Sequence, residues 1–152
     1  MNLWEKYELT QNPGIANEGI FFHYEPGIDP ELKRRFLNFS RWIRRNYLFP
    51  VRLNVYILNC EKVKLRNGAM VYGSFRWYPK RPPNIQIPSA IEQEVKEELP
   101  MEEIYDAVLS SLVHELTHYF QWASGAEQSD AVSERQANYY RFRILDQFHM
   151  RR

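Results

Sequence analysis

The feature that most constrains this chain is the five-residue run His114-Glu115-Leu116-Thr117-His118. At 3.6 residues per turn, positions i and i+4 share one face of a helix, so both imidazoles can reach one metal ion from one side. Glu115 stands one residue round, beside that metal, where a base for water is needed. Any fold that uses the run must therefore carry it on a helix with another face turned to a core. The surrounding sequence allows this. Ile104, Val108, Leu112, Leu116 and Phe120 recur at i+4 and form an apolar stripe. Ala107, Ser111, His114 and His118 form the adjoining stripe, whose small members let a neighbouring element come close. Gly125 suits a C-terminal stop, so the pattern predicts a helix from Met101 to Ala123.

A catalytic zinc site usually has three protein ligands and one open position. Glu127, Asp130, Glu134 and His149 downstream, and His23 upstream, are the candidates for the third ligand. Glu127 and Asp130 fall in the connection 125–130, too near the turn to fold back. Glu134 lies one turn into a second helix, expected from Asp130 to about Phe148. Its i+3 neighbour Ala137 is small, as a close helix crossing requires. An antiparallel helix pair would return this turn to the C-terminal half of the motif helix, which favours Glu134. His23 and His149 read as lone histidines. The imidazole N–H groups facing away from a metal need acceptors, and Asp106 and Ser110 are near in sequence.

A length of 152 residues implies one domain, 1–152, and 44% hydrophobic with 15% aromatic residues supplies a real core. A formal net charge of +1 gives no global pull toward nucleic acid or anionic membrane. Arg34, Arg41 and Arg45 share a face of the first helix, which reads as solvated. One cysteine, Cys60, rules out an intramolecular disulfide; it reads as a buried strand residue and fits a reducing, cytoplasmic setting. No stretch approaches the roughly 20 apolar residues of a membrane span, and no leader-like run opens the chain.

Along the chain, residues 1–28 read as irregular, with turn signals at Asn12-Pro13-Gly14 and Pro26-Gly27 and a short strand within Gly19–Tyr24. Asp29 and Pro30 read as cap and first position of a helix to about Tyr47, ended by Pro50. Val51–Leu58 alternates as a strand. Lys62–Arg66 alternates weakly, and Asn67-Gly68 signals a two-residue hairpin turn into a strand over Ala69–Tyr78. Asn84–Ile87 is a further short strand. Ser89 with Glu92 suggests a capping box for a short acidic helix to about Leu99, before Pro100. The expectation is an α+β fold: an N-terminal helix, a small, mostly antiparallel sheet, the motif helix and a ligand helix.

His114-Glu-Leu-Thr-His118 followed by Glu134-Arg-Gln-Ala137-Asn138 resembles the gluzincin pattern, H-E-x-x-H with a later E-x-x-A on the next helix. Gluzincins are zinc peptidases that include thermolysin. The compact size and the E-x-x-A-N run look most like the small ImmA/IrrE-type peptidases, known for cleaving repressors. The resemblance is good over Val108–Leu145; upstream only the order of elements is similar. Tyr119–Ser124 lack the glycine and third histidine of metzincins, and SprT-like proteins need a downstream histidine for which only His149 remains.

The resemblance implies a minimal zincin-like fold and one Zn²⁺ per chain, held by His114, His118 and Glu134. It implies an endopeptidase with Glu115 as general base, acting on a protein or peptide substrate, a repressor among the candidates. It also implies that substrate adds as a strand along a sheet edge, for which Gly73-Ser74-Phe75 and the residues to Tyr78 are the candidates. Tyr72, Tyr119, Tyr139 and Tyr140 are candidate donors to a developing oxyanion. Two other classes compete: a zinc-binding regulatory protein of the same fold with little proteolysis, and a structural zinc module. The second needs a closed, cysteine-rich ligand set, which one cysteine does not supply.

Overall fold

The computed structural model describes residues 2–9 and 14–151, so Asn12 and Pro13 of the first turn signal lie outside the described residues. Six strands and four α-helices follow a 3₁₀ turn at Trp4–Tyr7: β1 (Ile20–Tyr24), α1 (Pro30–Asn46), β2 (Leu53–Leu58), β3 (Val63–Lys64), β4 (Met70–Val71), β5 (Ser74–Arg76), β6 (Asn84–Pro88), α2 (Gln93–Glu98), α3 (Met101–Ala123) and α4 (Asp130–His149). The architecture mixes helices with a small mixed sheet and a separate two-stranded hairpin.

The main sheet has the order β1-β2-β6-β5. Its first three strands run parallel and only β5 is antiparallel, which corrects the expectation of a mostly antiparallel sheet. The reason is the connection: β1, α1 and β2 form a strand–helix–strand crossover, and a helix between strands returns the chain in parallel. The misleading cue was the alternation of β2. Leu53, Val55 and Ile57 are buried while Asn54, Tyr56 and Leu58 are partly exposed. Parallel strands usually have both faces covered and read as continuous apolar runs; alternation suggests an antiparallel sheet with one wet face. Here the parallel strands bury one face. Leu53, Val55, Ile57, Ile85 and Ile87 meet Phe36, Phe39 and Ile43 of α1 and Leu112, Leu116 and Phe120 of α3 in one cluster.

The expected strand over Ala69–Tyr78 is two strands. β4 pairs with β3, then the chain bends at Tyr72-Gly73, and β5 joins the edge of the main sheet against β6. The hairpin turn is longer than two residues: Leu65 N–H donates to the Ala69 carbonyl, enclosing Arg66–Gly68, with Gly68 at φ 90°. The capping box is absent. Ser89 is used to prolong the sheet, its N–H and hydroxyl both donating to the Leu58 carbonyl, and α2 starts later, with Glu92 as an N-cap whose side chain makes no capping bond. Cys60 lies half-buried just past β2 rather than within it.

Helix α3 follows the sequence expectation from Met101 to Ala123, opened by Pro100 and stopped by Gly125 at φ 70°. Helix α4 packs against α3 with Ala137 fully buried, as a close helix crossing requires. The N-terminal turn seals the far side of this pair. Trp4, fully buried, donates its indole N–H to Thr117, and the Tyr140 hydroxyl accepts from Leu3 N–H and donates to Glu5. The basic face of α1 is partly spoken for: Arg34 and Arg35 bind Glu31, and Arg35 reaches Glu102 of α3. Among the described residues, no helix is long and apolar enough to cross a membrane.

Candidate metal centre

One turn of α3 and the first turn of α4 build the site. The rings of His114 and His118 meet edge to face, with their Nε2 atoms 3.2 Å apart. The Glu134 carboxylate spans them, Oε2 lying 3.1 Å from His114 Nε2 and Oε1 3.0 Å from His118 Nε2. Donor atoms 2.0–2.1 Å from a tetrahedral zinc ion lie about 3.3 Å from one another. These three side chains already converge to nearly that spacing. Glu134 comes to hand because Ser129 caps α4, accepting from Val132 N–H, and starts the helix so that its first turn faces the end of α3.

The bonding around His118 selects the ring form a metal needs. The Ser133 carbonyl can only accept, so the Gln121 amide must present its NH₂ there, at 3.0 Å, and again to Gln136 at 2.9 Å. Gln121 Oε1 therefore faces His118 Nδ1, at 2.8 Å, and Nδ1 carries the hydrogen. Nε2, the other ring nitrogen, faces His114 and Glu134, where its lone pair would bind a metal. The Ser133 hydroxyl completes the set by donating to Gln121 Oε1. His114 Nδ1, by contrast, is buried without a hydrogen bond. Burial and the neighbouring His118 lower the His114 pKa, which keeps the ring neutral, as ligation demands.

Asp106 and Ser110, the acceptors near in sequence, are engaged elsewhere. Asp106 pairs with His149 at 2.9 Å, and Ser110 donates to the Ala107 carbonyl and accepts from Arg141. His149 is thereby engaged elsewhere. His23 stacks on Tyr56 of β2 and bonds Asn54. Gln121 and Ser133 supply the outer contacts of His118 instead. Gln121 was legible in principle, since it stands one turn beyond His118 on the same face; Ser133 needs the helix crossing to be known.

Glu115 sits beside these three side chains. Donor atoms of His114, Glu115 and His118 lie within 4.8 Å of one another. Its Oε2 is 4.0 Å from His114 Nε2, however, against 3.1 Å for Glu134, so Glu134 is the better third ligand. Glu115 is 9% exposed and lies beneath Gly73, where a Cβ would come within 3.2 Å of its Oε2 and 3.3 Å of its Cγ. Gly73 thus admits Glu115 itself, where the sequence suggested close approach of a substrate. Burial pushes the Glu115 carboxyl up to about 8, helped by the negative Glu134 and opposed by Arg141. With no metal cation beside it the group is mostly protonated at neutral pH; a cation held by His114, His118 and Glu134 would oppose the shift and favour the carboxylate that general-base work needs.

The site opens into a cleft of about 710 Å³. Gly73, Ser74 and Phe75 form part of its wall, on the outermost strand of the sheet. Ser74 Oγ is buried there with no partner, whereas Phe75 packs against Tyr119 and Trp122. Of the candidate tyrosines, Tyr119 is bonded to both backbone groups of Val51, and Tyr140 to Leu3 and Glu5, so neither is free for an oxyanion. Tyr72 lines the cleft, with its hydroxyl on Glu92.

No family model, curated protein or solved structure matches this chain.

Proposed function

We propose that the protein is a zinc-dependent metallopeptidase of the gluzincin kind, with a minimal zincin-like core, and that it hydrolyses peptide bonds in a protein substrate. The observation that carries this reading is the convergence of His114, His118 and Glu134 to within 3.2 Å, with Glu115 held just beyond ligand range. These three residues would hold one zinc ion, and Gln121 would hold His118 in its ligating form. Zinc, when bound, supplies Lewis acidity toward water and the scissile carbonyl.

Glu115 takes the proton of the attacking water onto its carboxylate and returns it to the leaving amine. Its packing under Gly73 holds the carboxylate in one place, so little ordering remains for the reaction to supply. The outer edge of β5 offers unpaired backbone groups beside the cleft, on which an extended segment can add as a fifth strand. The intact, buried Glu115 weighs against the competing reading of a zinc-binding regulator without turnover, because loss of that base is the simplest inactivation.

The test is Glu115→Gln, which keeps the shape and removes the basicity. The variant should retain its zinc while hydrolysis of an unfolded protein or peptide mixture falls by roughly 10²–10⁴. Unchanged hydrolysis would exclude the mechanism.

A further inference from the structure

The cleft contains a cation whose one part in the catalytic scheme is at a distance, where its charge opposes the raised pKa of Glu115. Arg141 projects from α4 into the cleft wall and, among the described residues, is the only lysine or arginine lining it; the other charged residues there are Glu61, Glu92, Glu115 and Glu134. Among the described residues, no carboxylate lies within 4.0 Å of the Arg141 guanidinium. It rests instead on two neutral hydroxyls, Nη2 donating to Ser110 Oγ at 3.0 Å and to Ser111 Oγ at 3.4 Å. Both hydroxyls spend their own hydrogens on the Ala107 carbonyl, which turns their lone pairs to the guanidinium. Arg141 Nε is buried without a partner. An isolated fold gains little from this arrangement, since a partly buried charge without a counter-charge is costly. The two serines fix the fork in place without neutralising it.

The position is informative. Ser111 precedes His114 by three residues, about 4.5 Å along the helix axis. An extended peptide advances about 3.3 Å per residue. A group bound by Arg141 therefore sits one or two residues from the bond at the metal centre. The wall beside it, with Ile104, Ala107 and Val108, is apolar and strengthens a charge-assisted bond made there.

Resting on the peptidase reading, we propose that Arg141 is a specificity residue that binds a carboxylate of the substrate one or two residues from the scissile bond. A carboxylate matches the planar fork, whereas a neutral amide in the same place leaves the cation unpaired. The carboxylate comes either from an Asp or Glu side chain or from the free C-terminus of the peptide, and the two are separable by experiment.

The experiment is a cleavage-site profile of the zinc-loaded protein on a defined peptide library, prepared in parallel with free and amidated C-termini and read by mass spectrometry. The expected result is at least a tenfold preference for bonds with a carboxylate one or two residues away. Loss of that preference on amidation identifies the terminus as the source; its persistence identifies side chains. Arg141→Gln should reduce the preference to about twofold or less. Arg141→Lys, which keeps the charge and loses the fork, should fall between, and it serves where the glutamine variant does not fold. Cleavage without carboxylate preference, or a preference unchanged in these variants, overturns the proposal and leaves the peptidase reading standing. If no bond is cut, that reading fails, and fluorescence anisotropy of labelled library peptides on the zinc-loaded protein decides the role of Arg141. Carboxylate-bearing peptides should bind at least tenfold more tightly than amide-capped, Asn- or Gln-substituted ones, and the difference should vanish in the variant. Equal binding overturns the proposal.

Discussion

Gln121 is the residue whose removal most cleanly separates the metal centre from the fold around it. Its Oε1 accepts from His118 Nδ1 at 2.8 Å, and its NH₂ ties α3 to the Ser133 carbonyl and to Gln136 of α4. Gln121→Leu keeps the volume and the apolar stem but removes these three bonds and the one accepted from the Ser133 hydroxyl. His118 then retains only the Ser133 hydroxyl, 3.2 Å away, as a partner for its outer nitrogen. Outer acceptors of this kind are worth about 10–100-fold in metal affinity, or about 1.4–2.7 kcal/mol. Loss of the ties to the Ser133 carbonyl and to Gln136 should lower stability in chelator by about 1 kcal/mol. The assay is zinc competition against a chromophoric chelator, with denaturant unfolding of the metal-free protein alongside. Gln121→Glu retains the acceptor and should hold zinc at least as well as the native protein. A folded leucine variant with zinc affinity within twofold of native would refute the role assigned to Gln121 and the ring form deduced from it.

Two further outcomes follow from Glu115 and its neighbour. In metal-free protein, the folded-state pKa of Glu115 is raised from 4.5 to about 8, so its contribution is most favourable below pH 4.5 and is lost as pH rises toward 8. Glu115→Gln should therefore unfold at higher denaturant than the native chain at pH 8, by up to about 5 kcal/mol, and the gap should close near pH 4.5; a pH-independent difference would contradict this. Gly73→Ala places a Cβ 3.2 Å from Glu115 Oε2 and 3.3 Å from Ile87 Cδ1, so the carboxylate must give way by a few tenths of an ångström. Zinc content should persist while stability falls by about 1–2 kcal/mol and hydrolysis falls on the order of tenfold to a hundredfold, measured on the same preparation.

The helices were the legible part of this chain because their signals are local. Asp29-Pro30, the i+4 stripe from Ile104, and the breaks at Pro100 and Gly125 each act within a few residues, and α1 and α3 fall where those signals put them. The geometry expected of Glu134 rested on one non-local step, an antiparallel helix pair, and the burial of Ala137 agrees with it. Strand direction was not legible from alternation, since a parallel strand with one covered face, such as β2, alternates like an antiparallel one. The better signal was the helix between β1 and β2. Trp4 shows the remaining gap. Its indole meets Thr117, 113 residues away, and nothing in Met1–Glu8 announces that this segment closes the core. The setting of the Arg141 cation, on two hydroxyls and with no ion pair among the described residues, was likewise invisible, because it depends on which residues surround it in space.

The most direct test of the metal centre is the zinc content of the purified protein beside its His118→Ala variant, measured by elemental analysis at equal protein concentration. About one zinc per chain in the native protein, and loss of stoichiometric zinc in the variant, is the result expected from His114, His118 and Glu134 as the ligand set. Full zinc content in His118→Ala, with the fold intact, would contradict it.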